Sequence, residues 1–368
     1  MIYLTFNDNI SGIFKSQVID VLFTLNKINN DQIKLIAFFS IRNYFNQKKQ
    51  LNKLYPYSIS LPMFPKLKNW KCNVFLFKLF TNNDTIICRG VFAANIALKA
   101  ANCRVVYDGR GAVKEEFKEY NVAGDFSYNL ICELEKKAVV LSNFRIAVSE
   151  KLVEYWRNQF DYKIDEHIII PCTVSKKETQ NNELITRELL KFNEDDIVIV
   201  FSGGNGLWQS YDLMLEVMEQ YLINFPNIKI LLLCNHTAKI DGMLNKYTGR
   251  VVVKWVKFFE VHNYLALADY GFVVREQSIT NFVSSPVKIA EYLSCGLKIL
   301  ISPNLGDFSS FIYEHDLGHI VVYTSIPKLN GVSEVEKNRI KSISFEFFNK
   351  ESSLIQKKFK ILIDKMIT

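Results

Sequence analysis

The sequence predicts an α/β fold made of two doubly wound parallel sheets that face a central cleft, and three observations carry that expectation. Short apolar runs alternate with amphipathic stretches along the whole chain, the pattern of parallel strands covered by helices. The alternation stops once, over a polar stretch near the middle, and then restarts. The length of 368 residues also suits two domains of roughly 100–200 residues better than one.

In the first half the apolar runs predict strands over 2–6, 33–39, 85–88, 105–107, 145–148 and 168–170, with helical periodicity over 16–26, 92–101, 125–141 and 150–159. Pro171 follows the last strand, and 175–194 is polar, with a Lys-Lys pair and two adjacent asparagines, so it reads as a linker. The pattern resumes with a strand over 197–201, a Gly-rich turn and a helix over 210–224. Strands over 229–234, 251–255, 270–274 and 298–301 follow, with a helix over 286–294. The expected domains are therefore 1–174 and 175–351, and the Lys-rich helical pattern over 352–368 is expected to pack back on the first.

Composition bounds the function. Hydrophobic residues make up 49% and charged residues 23%, with only 15 Gly and 8 Pro, which supports a sizeable core and excludes a disordered or fibrous chain. Residues 1–175 hold 23 Lys+Arg against 16 Asp+Glu, whereas 176–368 hold 22 of each, so the net charge of +7 lies entirely in the first half. Such a bias suits an anionic lipid surface or a phosphorylated ligand. The seven cysteines lie far apart with no C-x-x-C, against a zinc site or disulfide framework and for a reducing compartment. The first residues lack the pattern of a secretion signal and no run reaches the ~18 apolar residues of a membrane span. The expected place is the cytoplasm.

Four places carry candidate chemistry. Phe201-Ser202-Gly203-Gly204-Asn205-Gly206 lies at the end of a strand, where glycines let backbone N–H groups approach a phosphate. A tight turn reads the same way, and the spacing fits neither a Walker loop nor a dinucleotide fingerprint. Arg275 ends a strand ahead of Ser284-Ser285-Pro286-Val287-Lys288, in which Ser285 is expected to cap a helix that opens on Pro286. Val287 and Lys288 would then offer N–H groups to an anion, with Glu291 a turn and a half along, in reach of a ribose; a capped helix with one surface glutamate is the rival reading. Asp108-Gly109-Arg110-Gly111 ends a first-half strand and would face the cleft, or else brace its own loop. Gly12, between the first strand and first helix, is placed to touch the same ligand. No D-x-D occurs, so no metal or other cofactor is expected. Lys66, Lys68, Lys71 and Lys78 interleave with Phe64, Trp70, Phe75, Phe77 and Phe80, as in an amphipathic membrane-surface element or a solvated helix edge.

The order of these motifs resembles the family-4 glycosyltransferases of GT-B fold, two Rossmann-like domains, over most of the chain. The strongest part is Ala268-Asp269-Tyr270 through Arg275, then Ser285-Pro286-Val287-Lys288 and Glu291-Tyr292-Leu293-Ser294-Cys295-Gly296, which is similar to the family's donor-binding segment. The Gly-Gly loop with Trp208-Gln209, and Asp108-Gly109-Arg110-Gly111, are similar to its other signatures. The resemblance implies a UDP- or GDP-linked sugar donor in the second domain and a glycan or lipid-linked acceptor in the first. Transfer would proceed with retention, in bacterial surface polysaccharide assembly at the inner face of the membrane. It implies donor binding by Gly12, Gly203, Gly204, Asn205, Arg275, Ser284, Ser285, Val287, Lys288 and Glu291, with Asp108, Arg110 and Arg275 in catalysis. Val283 stands where the family carries the first of two glutamates, so backbone groups around it are expected to take over that role. A nucleotide-sugar 2-epimerase of the same build and a non-catalytic nucleotide-sugar-binding subunit remain alternatives. No nucleic-acid recognition motif is present.

Overall fold

The computed structural model describes residues 1–64, 69–82, 84–100, 102–120, 125–175, 185–204 and 206–367. The chain forms two compact units, one of Met1–Ser175, Val283–Ser285 and Asn349–Thr368, the other of Lys176–Phe282 and Pro286–Phe348. Among the described residues no helix is long and apolar enough to cross a membrane.

The first unit holds a parallel sheet of seven strands. It runs through β1 (Ile2–Phe6), α1 (Gly12–Phe14), α2 (Asp20–Asn29), β2 (Lys34–Ser40), α3 (Tyr44–Leu54), β3 (Ser58–Met63) and α4 (Trp70–Lys78). It continues with β4 (Thr85–Arg89), α5 (Gly90–Ala100), β5 (Arg104–Gly109), α6 (Val113–Glu119), α7 (Asp125–Leu141), β6 (Phe144–Ala147), α8 (Glu150–Phe160) and β7 (His167–Ile169). The strand order is β3-β2-β1-β4-β5-β6-β7. β1 is buried along its whole length because helices cover both faces, which is why it reads as an apolar run broken only by Thr5.

Two departures from the sequence reading have local causes. β3 was not expected: it carries Pro62, which cannot donate to a ladder, and it is tolerated because β3 is the edge strand. The first helix, expected from residue 16, starts earlier, where the Ser11 hydroxyl accepts the Phe14 N–H at 3.2 Å. A π-type turn over Lys15–Ile19 then joins α1 to α2, and within it the Gln17 amide donates to the Thr173 carbonyl at 2.7 Å.

The second unit repeats the plan with six parallel strands in the order β10-β9-β8-β11-β12-β13. Its elements are β8 (Ile197–Ser202), α9 (Tyr211–Asn224), β9 (Ile228–Leu233), α10 (Ala238–Lys246), β10 (Val251–Lys254), α11 (Val261–Leu265) and β11 (Tyr270–Val273). After these come α12 (Ile279–Phe282), α13 (Val287–Ser294), β12 (Lys298–Ile301), α14 (Phe308–Glu314), β13 (Gly318–Ile320) and α15 (Glu334–Phe348). The chain then rejoins the first unit as α16 (Ser353–Ile367), whose Ile355, Phe359, Leu362, Ile363 and Met366 enter the core formed by α2 and the β1–β2 face.

One close approach positions the second unit's site. A side chain on Gly271, in the middle of β11, would overlap the Tyr292 ring on α13. Glycine there lets α13 lie directly on the sheet, and the Tyr292 hydroxyl reaches across to accept the Ser202 N–H at 2.8 Å.

Candidate functional site

In the second unit the strand order reverses between β8 and β11, which pair in register at Tyr270↔Ile199 and Gly271↔Val200. The crevice outside the carboxyl ends of strands at such a reversal is where doubly wound sheets bind ligands. β8 runs out there into Gly203 and Gly204, and β11 into Arg275. The sequence candidates from two separate motifs therefore meet at one point.

Arg275 and Lys288 are both buried, at 6% and 7% exposure. Gln209 joins them: its amide oxygen accepts from Lys288 Nζ at 2.7 Å and from Arg275 Nη2 at 3.4 Å. The other guanidinium arm reaches the Asn281 amide oxygen at 3.2 Å, and Asn281 is in turn tied to the Glu276 carbonyl. The Arg275 and Glu276 N–H groups donate to the hydroxyls of Ser302 and Ser210, at 3.2 and 2.9 Å. Ser210 has φ +50°, an unusual left-handed conformation for serine, so α9 starts one residue later than its periodicity suggests.

Lys288 is the most telling group. Its ammonium lies 4.1 Å from the centre of the Phe201 ring, and a Cβ on Gly203 would sit 2.9 Å from it. Among the described residues no carboxylate forms an ion pair with it; its hydrogen-bond partner is a neutral amide. Burial, and then the like charge of Arg275, hold its pKa well below the ordinary lysine value. A buried cation whose hydrogen bond goes to a neutral amide, with Glu291 acting only through its charge, is costly, several kcal/mol in the usual accounting. An anion placed between these two side chains would remove that cost.

The start of α13 differs from the sequence expectation. The helix begins at Val287; Pro286 precedes it in an extended conformation with ψ 117°, and no side chain caps the end. The Ser285 hydroxyl instead accepts the Cys172 N–H at 3.0 Å, and the Val283 carbonyl accepts from the Ser149 hydroxyl at 2.7 Å. Those two bonds hold 283–285 in the first unit, so Ser284 and Ser285 are grouped with it, while Val287, Lys288 and Glu291 belong to the second. An uncapped helix start with a partial positive charge suits a phosphate. Glu291 is on the same helix, close enough for its charge to act on Lys288. Asn205 lies outside the described residues.

The first unit carries a second polar cluster at the reversal between β1 and β4. Asp108 is 1% exposed on β5. It accepts from the Tyr3 hydroxyl at 2.9 Å and Arg110 Nη2 at 2.8 Å, and Arg89 approaches to 3.8 Å. Arg89 also pairs with Asp8 at 3.5 Å. Burial works against the charge on Arg110, but Asp108 outweighs it and keeps the guanidinium firmly protonated. Burial, reinforced by Asp108, raises the Tyr3 hydroxyl above its ordinary value. Gly12 opens α1 after the β1 loop, beside the cap formed by Ser11.

Sequence reasoning gave Tyr3 and Arg89 no place among the candidates, and Phe201 and Asn281 stood in candidate motifs with no role of their own. The first three lie in strand patterns that read as core or strand end, and only sheet order shows what they meet. Gln209 was visible within a motif, but not as the shared acceptor of two cations.

No family model matches the chain, and no curated protein sequence matches it. Solved structures match along its whole length. A sucrose-phosphate synthase from Thermosynechococcus elongatus is 13% identical over 100% of this chain and 99% of that one, with a TM-score of 0.70. HepE from Anabaena, in complex with UDP and glucose, is 11% identical over 99% and 100%, with a TM-score of 0.66. The fold is GT-B. A glycosyltransferase from Rickettsia africae is similar in the same way, 13% identical over 100% and 98%, with a TM-score of 0.66. At these identities the likeness establishes the GT-B fold, and function rests on the chemistry of the site.

Proposed function

We propose that this chain is a retaining glycosyltransferase that moves a sugar from a UDP- or GDP-linked donor to a glycan or lipid-linked acceptor in bacterial surface polysaccharide assembly. The observation that carries the proposal is Lys288: a buried ammonium at an uncapped helix start, beside Arg275, with a neutral amide as its hydrogen-bond partner. The donor's diphosphate supplies the missing negative charge. The structural likeness to HepE, solved with UDP and glucose, and the resemblance of the Arg275–Gly296 segment to donor-binding motifs, support the same ligand.

In this reading Gly203, Gly204, Asn205 and the first turn of α13 at Val287 and Lys288 hold the diphosphate. Glu291 accepts the ribose hydroxyls. Gly12, Ser284 and Ser285 are the remaining donor-binding residues of this reading. The bond from the anomeric carbon to the diphosphate oxygen breaks and the acceptor oxygen bonds to that carbon on the same face. The leaving diphosphate takes the acceptor's proton, and Arg275 with Lys288 stabilises its growing charge. Asp108 is already bonded to Tyr3 and Arg110, so with Arg110 it sets the charge that meets the acceptor. The basic first unit faces the membrane that carries a lipid-linked acceptor.

Proton NMR of UDP- and GDP-sugars incubated with the protein tests this. A transferase releases nucleoside diphosphate, slowly to water and faster with acceptor. Accumulation of a C2 epimer with no acceptor present would assign the fold to an isomerase instead. Glu291→Gln is expected to weaken UDP binding by about 1–3 kcal/mol, the scale of one lost buried polar contact; unchanged affinity in a calorimetric titration would remove the ribose role.

A further inference from the structure

At the reversal between β1 and β4 the first unit sets two carboxylates against two arginines. Asp108 is closed off. It is 1% exposed, its Oδ2 accepts from Tyr3 and Arg110, and Arg110 Nε lies 2.8 Å from its Oδ1. The carboxylate that a ligand can reach is Asp8, whose side chain is 38% exposed.

The backbone delivers Asp8 to this place. The Asn7 N–H donates to the Phe38 carbonyl at 2.9 Å, one residue beyond the end of β1. Asn7 then takes φ +60°, the left-handed conformation that asparagine tolerates better than most residues, and the chain leaves the strand direction. On the far side of the loop the Ile10 N–H donates to the Gln47 amide oxygen on α3, at 2.9 Å. Asp8 is thus held between two fixed points. Arg89, at the end of β4, meets it at 3.5 Å, longer than the ~2.7–2.9 Å of a charge-assisted hydrogen bond. Arg89 is its one ion-pair partner among the described residues, so the carboxylate keeps most of its acceptor capacity. Burial at this depth raises its carboxyl pKa above the ordinary value, and Arg89 only partly opposes that.

Two further features select the ligand. Asp8 and Asp108 balance Arg89 and Arg110, so the cluster has no net charge with which to draw in a phosphate. Phe92, half-buried on the first turn of α5, stacks at 5.4 Å on Phe6, the last residue of β1. An aromatic face and a hydrogen-bond-accepting carboxylate at one strand end suit a pyranose ring, which offers C–H groups on its faces and hydroxyl donors at its edge. The geometry points to Asp8 as the carboxylate that binds the acceptor, taking two adjacent hydroxyls of an uncharged sugar ring, with Arg89 as its positioning residue. The inference rests on the transferase reading for calling that sugar the acceptor; the sugar site itself does not depend on it.

Saturation-transfer NMR with the methyl pyranosides of glucose, galactose and mannose, with and without UDP, tests it. At least one of the three is expected to bind, and its fully O-methylated form, which has no hydroxyl to donate, is not. Asp8→Asn should weaken that sugar at least ~10-fold while leaving UDP affinity unchanged. Phe92→Leu, which leaves the ion pairs in place, should weaken it too, so that variant and the O-methylated probe decide the matter even if thermal melts show Asp8→Asn to be unfolded. Asp31→Asn, an exposed carboxylate ahead of β2 at its amino end, should change nothing. Equal sugar binding by Asp8→Asn and wild type would overturn the inference, as would the absence of any sugar binding. So would inorganic phosphate binding in place of the sugars and lost in Arg89→Gln, which would assign the arginines to an anion. Sugar binding by a protein that fails to bind UDP would leave the Asp8 site standing while the transferase reading falls.

Discussion

Lys288→Met is expected to abolish most UDP binding, by about 3 kcal/mol or on the order of 100-fold in calorimetry, while leaving the fold as stable as before or more so. The two effects have one cause. Among the described residues no carboxylate pairs with the buried ammonium, so in the free protein it is a cost, and a methionine of similar length fills the same slot against Phe201. With a diphosphate present, the same ammonium makes charge-assisted hydrogen bonds that methionine cannot. A second consequence follows from the sign of its pKa. Burial and Arg275 hold the Lys288 pKa low in the empty site; a bound dianion raises it. Affinity should therefore fall as pH rises, because loss of the Lys288 proton competes with binding the dianion. Lys288→Met should lose that pH dependence. A variant that loses stability but keeps UDP would show that Lys288 only braces the loop.

Gly271→Ala is the second large effect, and it acts through packing. The added methyl would occupy the Tyr292 ring position, and neither β11 nor α13 can give way without moving the other. An overpacked core of this kind costs about 1–3 kcal/mol, sometimes more. Here the displacement also moves α13, which carries Lys288 and Glu291, and breaks the bond from the Ser202 N–H to the Tyr292 hydroxyl. Both the urea midpoint and UDP affinity should fall. Restoring room with Gly271→Ala/Tyr292→Leu should recover much of the stability but not the Ser202 bond. Full stability in Gly271→Ala alone would contradict the close approach.

The sequence made the buried strands legible because a strand covered on both faces must be apolar over nearly all its length, as β1, β8 and β12 are apart from Thr5 and the terminal Ser202 and Lys298. It hid β3, because edge strands tolerate proline and polar residues. It placed Arg275, Lys288 and the Gly203 loop as candidates because strand ends and helix starts leave local signatures. It could not show that Gln209 links the two cations, since that depends on the Ser210 turn and on the side-by-side position of β8 and β11. Ser285 misled for a physical reason. Ser-Pro is a strong local helix start, but the hydroxyl is taken by Cys172, more than a hundred residues away in sequence. Local propensity gave way to a long-range hydrogen bond.

Calorimetric titration of uridine, UMP, UDP and GDP against the purified protein, without metal, tests the central claim most directly. If Arg275, Lys288 and the start of α13 form a diphosphate site, affinity rises steeply from the monophosphate to one of the two diphosphates, and Lys288→Met removes most of that rise. If uridine, UMP and UDP bind equally, or if nothing binds, the buried cation pair has no phosphate to neutralise and the donor-site account is wrong.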